Sequence, residues 1–198
     1  MKSIIQIALA VLIVVLSYMV YNSVNSSIVI NEQKNIRKEA VIEKLKDIRM
    51  VQLAYKSKYK KFLASFDDMM NFINQDSLPI ILQIGDAEDS VAVASGLVVR
   101  DTTYISVKDS LFSKSYIAQK NFPFYIDSIP FVPFSGGEKF KMDAGEITKN
   151  NAPVKVFEAS CTYGQIMKDL DIRSTNIKPN GLIQVGSMTE ASTNGNWE

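Results

Sequence analysis

Histidine is absent from the 198 residues, and cysteine occurs once, at Cys161. The first absence removes the commonest general base near neutral pH and the commonest zinc ligand. It also excludes Ser-His-Asp and Cys-His catalysis within the chain. A single thiol closes no internal disulfide and, with no histidine beside it, builds no thiolate metal site. Cys161 therefore reads as a small packed apolar residue, with an intermolecular disulfide or a reactive thiol as the alternative. An excess of charge is missing too: 22 Lys and Arg face 21 Asp and Glu. Without a basic surplus or a dense basic stripe, no nucleic-acid partner is expected. No nucleophile–base pair can be assembled, so neither an enzyme nor a cofactor is expected.

What is present begins with an apolar run. Ile4 to Tyr21 contains only Gln6 and Ser17 as polar breaks. About 18 to 20 apolar residues suffice to cross the hydrocarbon core of a bilayer. Tyr18 and Tyr21 suit the membrane interface at its far end. A cleaved secretory signal ends in small residues at its cleavage site. Here the run continues into Asn22-Ser23-Val24-Asn25-Ser26-Ser27, a poor match. No cysteine follows it, which argues against a lipoprotein. Residues 1–24 are thus expected to be an uncleaved anchor. Lys2 and the amino terminus flank one side, while Lys34, Arg37 and Lys38 lie farther off on the other. This pattern places the N-terminus in the cytoplasm and the bulk of the chain outside.

Residues 25–64 read as a rod. Asn31 to Ala64 lacks proline and glycine. Val41, Leu45, Ile48, Gln52, Tyr55, Tyr59 and Phe62 alternate steps of four and three, a seam of period 3.5. Gln52 is its one polar member, of the kind that fixes register. The seam packs either on the chain's own head or on a partner helix, including that of a second copy. Its aromatic end favours the first. The lysines at 56, 58, 60 and 61 read as a solvated face, with an acidic partner or a lipid surface as the weaker option. Ser65 with Asp68 has capping-box spacing and predicts a second short helix through Met69, Met70, Phe72 and Ile73, stopping before Leu78-Pro79.

Arg49-Met50-Val51-Gln52-Leu53-Ala54-Tyr55, followed by Tyr59 and by a turn at Ser65, resembles the second half of the long helix of type IV pilins and type II secretion pseudopilins. The resemblance covers about the first third of the chain. It implies an architecture: a transmembrane helix continuing into a long amphipathic helix packed on a C-terminal antiparallel sheet. It also implies a structural or accessory role in a secretion or pilus-like assembly at the bacterial inner membrane, with a periplasmic head and protein partners there. The chain departs from that family in two respects. It lacks the glycine–phenylalanine processing site, and it lacks the glutamate within the apolar run, since its first acidic residue is Glu32. Prepilin processing and standard filament assembly are therefore not expected.

Residues 65–198 read as a helical elbow and a β-rich head, making the whole α+β. Ile80–Ile84, Leu97–Val99, Thr102–Val107, Lys139–Ala144, Val154–Ala159 and Gly181–Gly186 are strand candidates. Ile129 to Phe134 is confined by its prolines to an edge. Ser135-Gly136-Gly137-Glu138 is the strongest turn signal, and Phe140, Met142 and Ala144 alternate onto one face after it. Tyr163 to Leu170 suits a short helix. Trp197 either docks on the head or is mobile.

Few groups suggest chemistry. Asp86, Glu88 and Asp89 are hard oxygen ligands of the kind calcium takes, but they lack EF-hand spacing and read first as a solvated loop. Asp67 and Asp68 fall at a helix start, where the dipole favours them. Gly136-Gly137 has no Walker lysine after it. The main expectation is a single-pass envelope protein. The alternative is a tethered extracytoplasmic ligand-binding or sensor module, which requires an apolar pocket with converging polar groups.

Overall fold

The computed structural model describes residues 2–84, 99–149, 151–173 and 175–198. The chain is α+β, with an N-terminal apolar helix and a C-terminal antiparallel sheet. Helix α1 runs without a break from Lys2 to Tyr59. At 1.5 Å per residue that is roughly 87 Å. Within it, Ser3–Tyr21 has a mean hydropathy of 2.5, and none of it is buried. Burial begins beyond it: Ile30 packs partly on the core, and Arg37, Ala40, Val41, Leu45, Ile48, Val51 and Gln52 are buried.

The rod ends earlier than the expected Ala64. Lys60 adopts φ 58° while its N–H still bonds the Lys56 carbonyl at 2.8 Å. One left-handed residue stops a helix without glycine or proline, provided other contacts hold it. Those contacts come from Gln52, described below.

After the reversal, α2 (Phe66–Gln75) starts at Ser65, whose hydroxyl accepts from the Asp67 N–H at 3.1 Å. It buries Phe66, Met69, Phe72 and Ile73, one stripe of an amphipathic helix. Strands β1 (Ser77–Ile84) and β2 (Val99–Ser106) form a two-stranded antiparallel ribbon, with Ser77 opposite Ser106 and Ile84 opposite Val99. Two five-residue helices follow, α3 (Val107–Leu111) and α4 (Lys114–Ala118), each capped by a serine.

The main sheet is a three-stranded meander of β3 (Lys141–Lys149), β4 (Ala152–Thr162) and β5 (Leu182–Gly186), in the order β3-β4-β5. The best hairpin is not the one expected. The turn at Ser135–Glu138 forms, but it closes a single bridge between Phe131 and Lys139. Pro130 and Pro133 deny the preceding segment ladder donors. The long hairpin is β3–β4, where Asn151 takes φ 61° in the connection. Phe140 is nonetheless buried, and Met142 and Ala144 pack on the core beside it. Helix α5 (Tyr163–Ile166) is shorter than expected and opens on a capping box between Thr162 and Gln165.

The core lies between this sheet and α1. Phe157, Ala159 and Cys161 on β4 and Ile183 and Val185 on β5 cluster with Val41, Leu45, Ile48 and Val51. Strand β5 ends at Gly186, φ 74°, where a Cβ would lie 2.2 Å from the Phe157 carbonyl oxygen. The tail docks on the sheet. The Asn196 N–H donates to the Gln184 carbonyl at 3.0 Å, its side chain pairs with Gln184 and Leu182, and Trp197 packs on the core.

Candidate functional site

The seven seam residues separate into three groups. Val41, Leu45, Ile48 and Gln52 are wholly buried against the head of their own chain. Tyr55 is half-buried, its ring edge-on to Phe72 at 5.0 Å. Tyr59 is 44 % exposed, and its hydroxyl donates to Asp76 at 2.7 Å. Phe62 lies beyond α1 and reaches the core from the reversal, 4.7 Å from the Phe157 ring.

Gln52 is paired within its own chain. Its Nε2 donates to the Leu63 carbonyl at 2.7 Å, and its Oε1 accepts from the Leu63 N–H at 2.8 Å. The amide thus presents a donor–acceptor pair to a backbone that has just left the helix. Buried backbone groups require such partners. This clamp holds Lys60 in its left-handed turn and brings Phe62 and Leu63 into the core.

The lysine run divides rather than forming one solvated face. Lys58 bonds Asp76 at 2.5 Å and the Ser77 carbonyl at 2.8 Å, tying the end of α1 to the start of β1. Lys56 lies 4.6 Å from the Phe62 ring, and Lys60 bonds the Ser57 carbonyl at 2.9 Å.

Two charged side chains on α1 take roles that the sequence does not announce: Arg37, which reads there only as a charge flanking the apolar run, and Asp47. Arg37, 7 % exposed, forks onto Asp169, with Nη2 to Oδ2 at 2.8 Å and Nη1 to Oδ1. It also bonds the Ile166 carbonyl at 2.7 Å and stacks 4.9 Å from the Phe134 ring. The guanidinium holds the Asp169 carboxyl down at about 2. Arg37 is therefore a clamp between α1 and the head and not a free charge beside the membrane.

Asp47 is 1 % exposed. Its Oδ1 accepts from the Tyr116 hydroxyl at 2.5 Å and from Lys120 at 2.6 Å. Its Oδ2 is buried without a partner among the described residues. Burial pushes the carboxyl up, and the bonds from Lys120 and Tyr116 oppose that shift. Asp47 lines a cleft of about 200 Å³ together with Ala40, Glu43 and Lys44 of α1. The opposite wall is Phe122-Pro123-Phe124 and Pro133-Phe134. Lys44 donates to the Phe131 carbonyl at 3.0 Å and to that of Ser128, and burial lowers its pKa. The cleft combines apolar walls with buried polar groups, the pattern of small-ligand sites. The only available sequence signal was the run of aromatics and prolines around 122–134.

The remaining candidates are quickly placed. Asp86, Glu88 and Asp89 lie outside the described residues. Among the described residues, no three His, Cys, Asp or Glu side chains gather to hold a metal. Asp67 and Asp68 occupy the first turn of α2. Cys161 is buried in the core, and desolvation pushes its thiol up to about 12, which leaves almost no nucleophilic thiolate at neutral pH.

No protein-family model matches this chain, and no curated protein or solved structure matches it either. Its class therefore rests on its own geometry. It is an α+β protein whose N-terminal apolar helix is long enough to cross a membrane, as an anchor or as a signal sequence.

Proposed function

We propose that the chain is a single-pass, membrane-anchored envelope protein of pilin-like architecture, a structural or accessory component of a secretion or pilus-like assembly. The observation that carries this reading is the continuity of α1. One unbroken helix holds the apolar span at one end and the central stripe of the head's core at the other. From Tyr21 to Ile30, where the head begins to pack on it, the helix rises roughly 14 Å at 1.5 Å per residue, so the head stands off the bilayer on a short stalk. Val24, Ile28 and Val29 on this stretch, and Ile36 on the free side of the helix beside the head, are all more than 40 % accessible. Exposed apolar residues on a bare helix suit a neighbouring helix in an assembly. The head faces outward, and the anchor remains attached.

Single cysteines introduced at Val24, Ile28 and Ile36, in a Cys161→Ala background, test this in native membranes. The expected result is specific crosslinks to partner proteins at these positions and none at Leu45 or Ile48. Crosslinks at none of the stalk positions, or a mature chain lacking residues 1–24, would sink the reading. A second reading, a tethered ligand-binding module, is favoured by one observation, the cleft beside Asp47.

A further inference from the structure

The ribbon of β1 and β2 has two unlike edges. It is rooted in the head through Leu78, which packs on the core, and through Val107, which is buried just beyond β2. Farther along, Ile80, Ile81 and Tyr104 are 46 %, 62 % and 67 % exposed. Among the described residues no third strand joins the ribbon. Two strands by themselves are marginal in water, and three or more are needed for independent stability.

The ladder shows which backbone groups are left over. The Val107 N–H bonds the Asp76 carbonyl at 3.0 Å, so these two residues, one step beyond Ser77 and Ser106, are a bonded pair. Antiparallel pairs alternate. Leu78–Ile105 and Ile80–Thr103 are therefore bonded, while Ser77–Ser106, Pro79–Tyr104 and Ile81–Thr102 turn their N–H and C=O groups outward. On β1 that outward row is blocked. The Ser77 N–H is taken by Asp76 Oδ1 at 2.7 Å, its carbonyl by Lys58 at 2.8 Å, and Pro79 has no N–H. On β2 the outward row is residues 100, 102 and 104, and Thr102 and Tyr104 have no other backbone partner among the described residues. A row of open donors and acceptors is a template for another strand.

This row is symmetric about Thr102. Laid antiparallel on itself, it sets residue 102 against 102 and 100 against 104, so each outward N–H meets an outward carbonyl. The resulting sheet has the order β1-β2-β2-β1, and both of its outer edges are the blocked β1 edge. Such an isologous pairing closes as a two-fold dimer. A foreign strand would bring a far edge of its own that nothing in this chain blocks. Lys58 and Tyr59 tie Asp76, at the root of the ribbon, to the end of α1 remote from the apolar span. The pairing therefore lies away from the anchor.

We propose that β2 pairs antiparallel with β2 of a second copy, with Thr102 on the two-fold axis, and so builds a four-stranded sheet between two heads. This pairing stands on the ribbon's backbone geometry and is independent of the stalk contacts inferred above.

The full-length chain carrying Cys161→Ala with either Thr102→Cys or Thr103→Cys is oxidised in native membranes, and the disulfide-linked dimer is measured. Both positions are exposed. On the axis the two copies of residue 102 stand about 5.5 Å apart between Cα atoms, within disulfide reach. The two copies of residue 103 are diagonal neighbours at about 7–8 Å, beyond it. The expected result is about fivefold more dimer from Thr102→Cys than from Thr103→Cys. Adding Tyr104→Pro removes one outward N–H, as Pro79 does on β1, and should cut the Thr102→Cys dimer about fivefold. The Val107 N–H should stay protected from hydrogen exchange, since the bonds within the ribbon are untouched. Equal yields at 102 and 103, or no dimer from either, overturn the pairing whether or not the proline variant folds. An undiminished dimer in Tyr104→Pro with Val107 still protected overturns it as well. A crosslink from Thr102→Cys to a different protein, in place of the dimer, overturns the second copy as the occupant of the edge.

Discussion

Ile7 and Ile48 lie on the same unbroken helix, 66 % and 0 % exposed respectively. Around Ile7 the helix is apolar nearly all round, and none of the described residues covers it. Around Ile48 it is apolar on one stripe only, and a sheet covers that stripe. An all-round apolar helix requires an apolar solvent, whereas a striped helix requires one packed partner. The two halves of α1 thus pose the same burial problem; the chain's own β4 and β5 answer it for one, and in the proposed reading lipid answers it for the other. The junction between Tyr21 and Ile30 belongs to neither solution, and there Val24, Ile28 and Val29 remain exposed.

The comparison is most easily broken by matched truncations. Ile48→Ala leaves a cavity between helix and sheet and should destabilise the head by about 4 kcal/mol, near the upper part of the range for buried isoleucine. Ile7→Ala removes the same atoms from a position without protein neighbours and should leave thermal unfolding of the head unchanged. Thermal denaturation of both variants in the same nanodiscs provides the check. A comparable loss from Ile7→Ala would mean that the first half also packs on protein.

The contrast also explains what was legible in the sequence. The apolar run and the 3.5-residue stripe are local periodicities, so the span, the rod and the buried face from Val41 to Gln52 can be read directly. Phe140, Met142 and Ala144 were legible for the same reason, as an alternating face. What escaped depends on distant partners. Arg37 and Asp47 look like solvated charges on a helix, and their partners lie 132 and 69 residues away. Without those partners neither the clamp nor the cleft can be seen. The end of the rod escaped because Lys60 carries no breaker signal, and its turn is imposed by Gln52. The glycine pair at 136–137 is the stronger local turn signal, yet the long hairpin turns at the β3–β4 connection, where Asn151 takes φ 61°.

Gln52 tests how the striped half is terminated. Gln52→Ala removes both bonds to Leu63 and strands a buried N–H and carbonyl. The expected loss is about 3 kcal/mol, somewhat below that of Ile48→Ala, since each unmade buried bond costs about 1–3 kcal/mol. Hydrogen exchange should localise the effect, with faster exchange at Lys60 and Leu63 and little change at Val41. Uniform acceleration along α1 would show instead that Gln52 supports the whole helix rather than its end.

The smallest effect comes from the clamp at the boundary of the two halves. Asp169 is held at about 2 by hydrogen bonding to Arg37, below its ordinary value of 3.8. The folded state therefore binds this proton less readily than the unfolded chain. The stabilisation is nearly full above pH 4 and is lost as the pH falls from there through 2. Asp169 is 60 % exposed, so solvent screening limits the contribution to under about 1 kcal/mol. Asp169→Asn should lower the melting temperature of the head slightly at pH 5 to 7, and the difference from the parent chain should shrink below pH 4 and vanish only below pH 2. A difference that stays undiminished well below pH 2 would mean that the asparagine disturbs packing around Ile166 and Phe134. In that case Arg37 would hold the head through its backbone bond and ring stacking, and the boundary between the halves of α1 would be set by packing instead of charge.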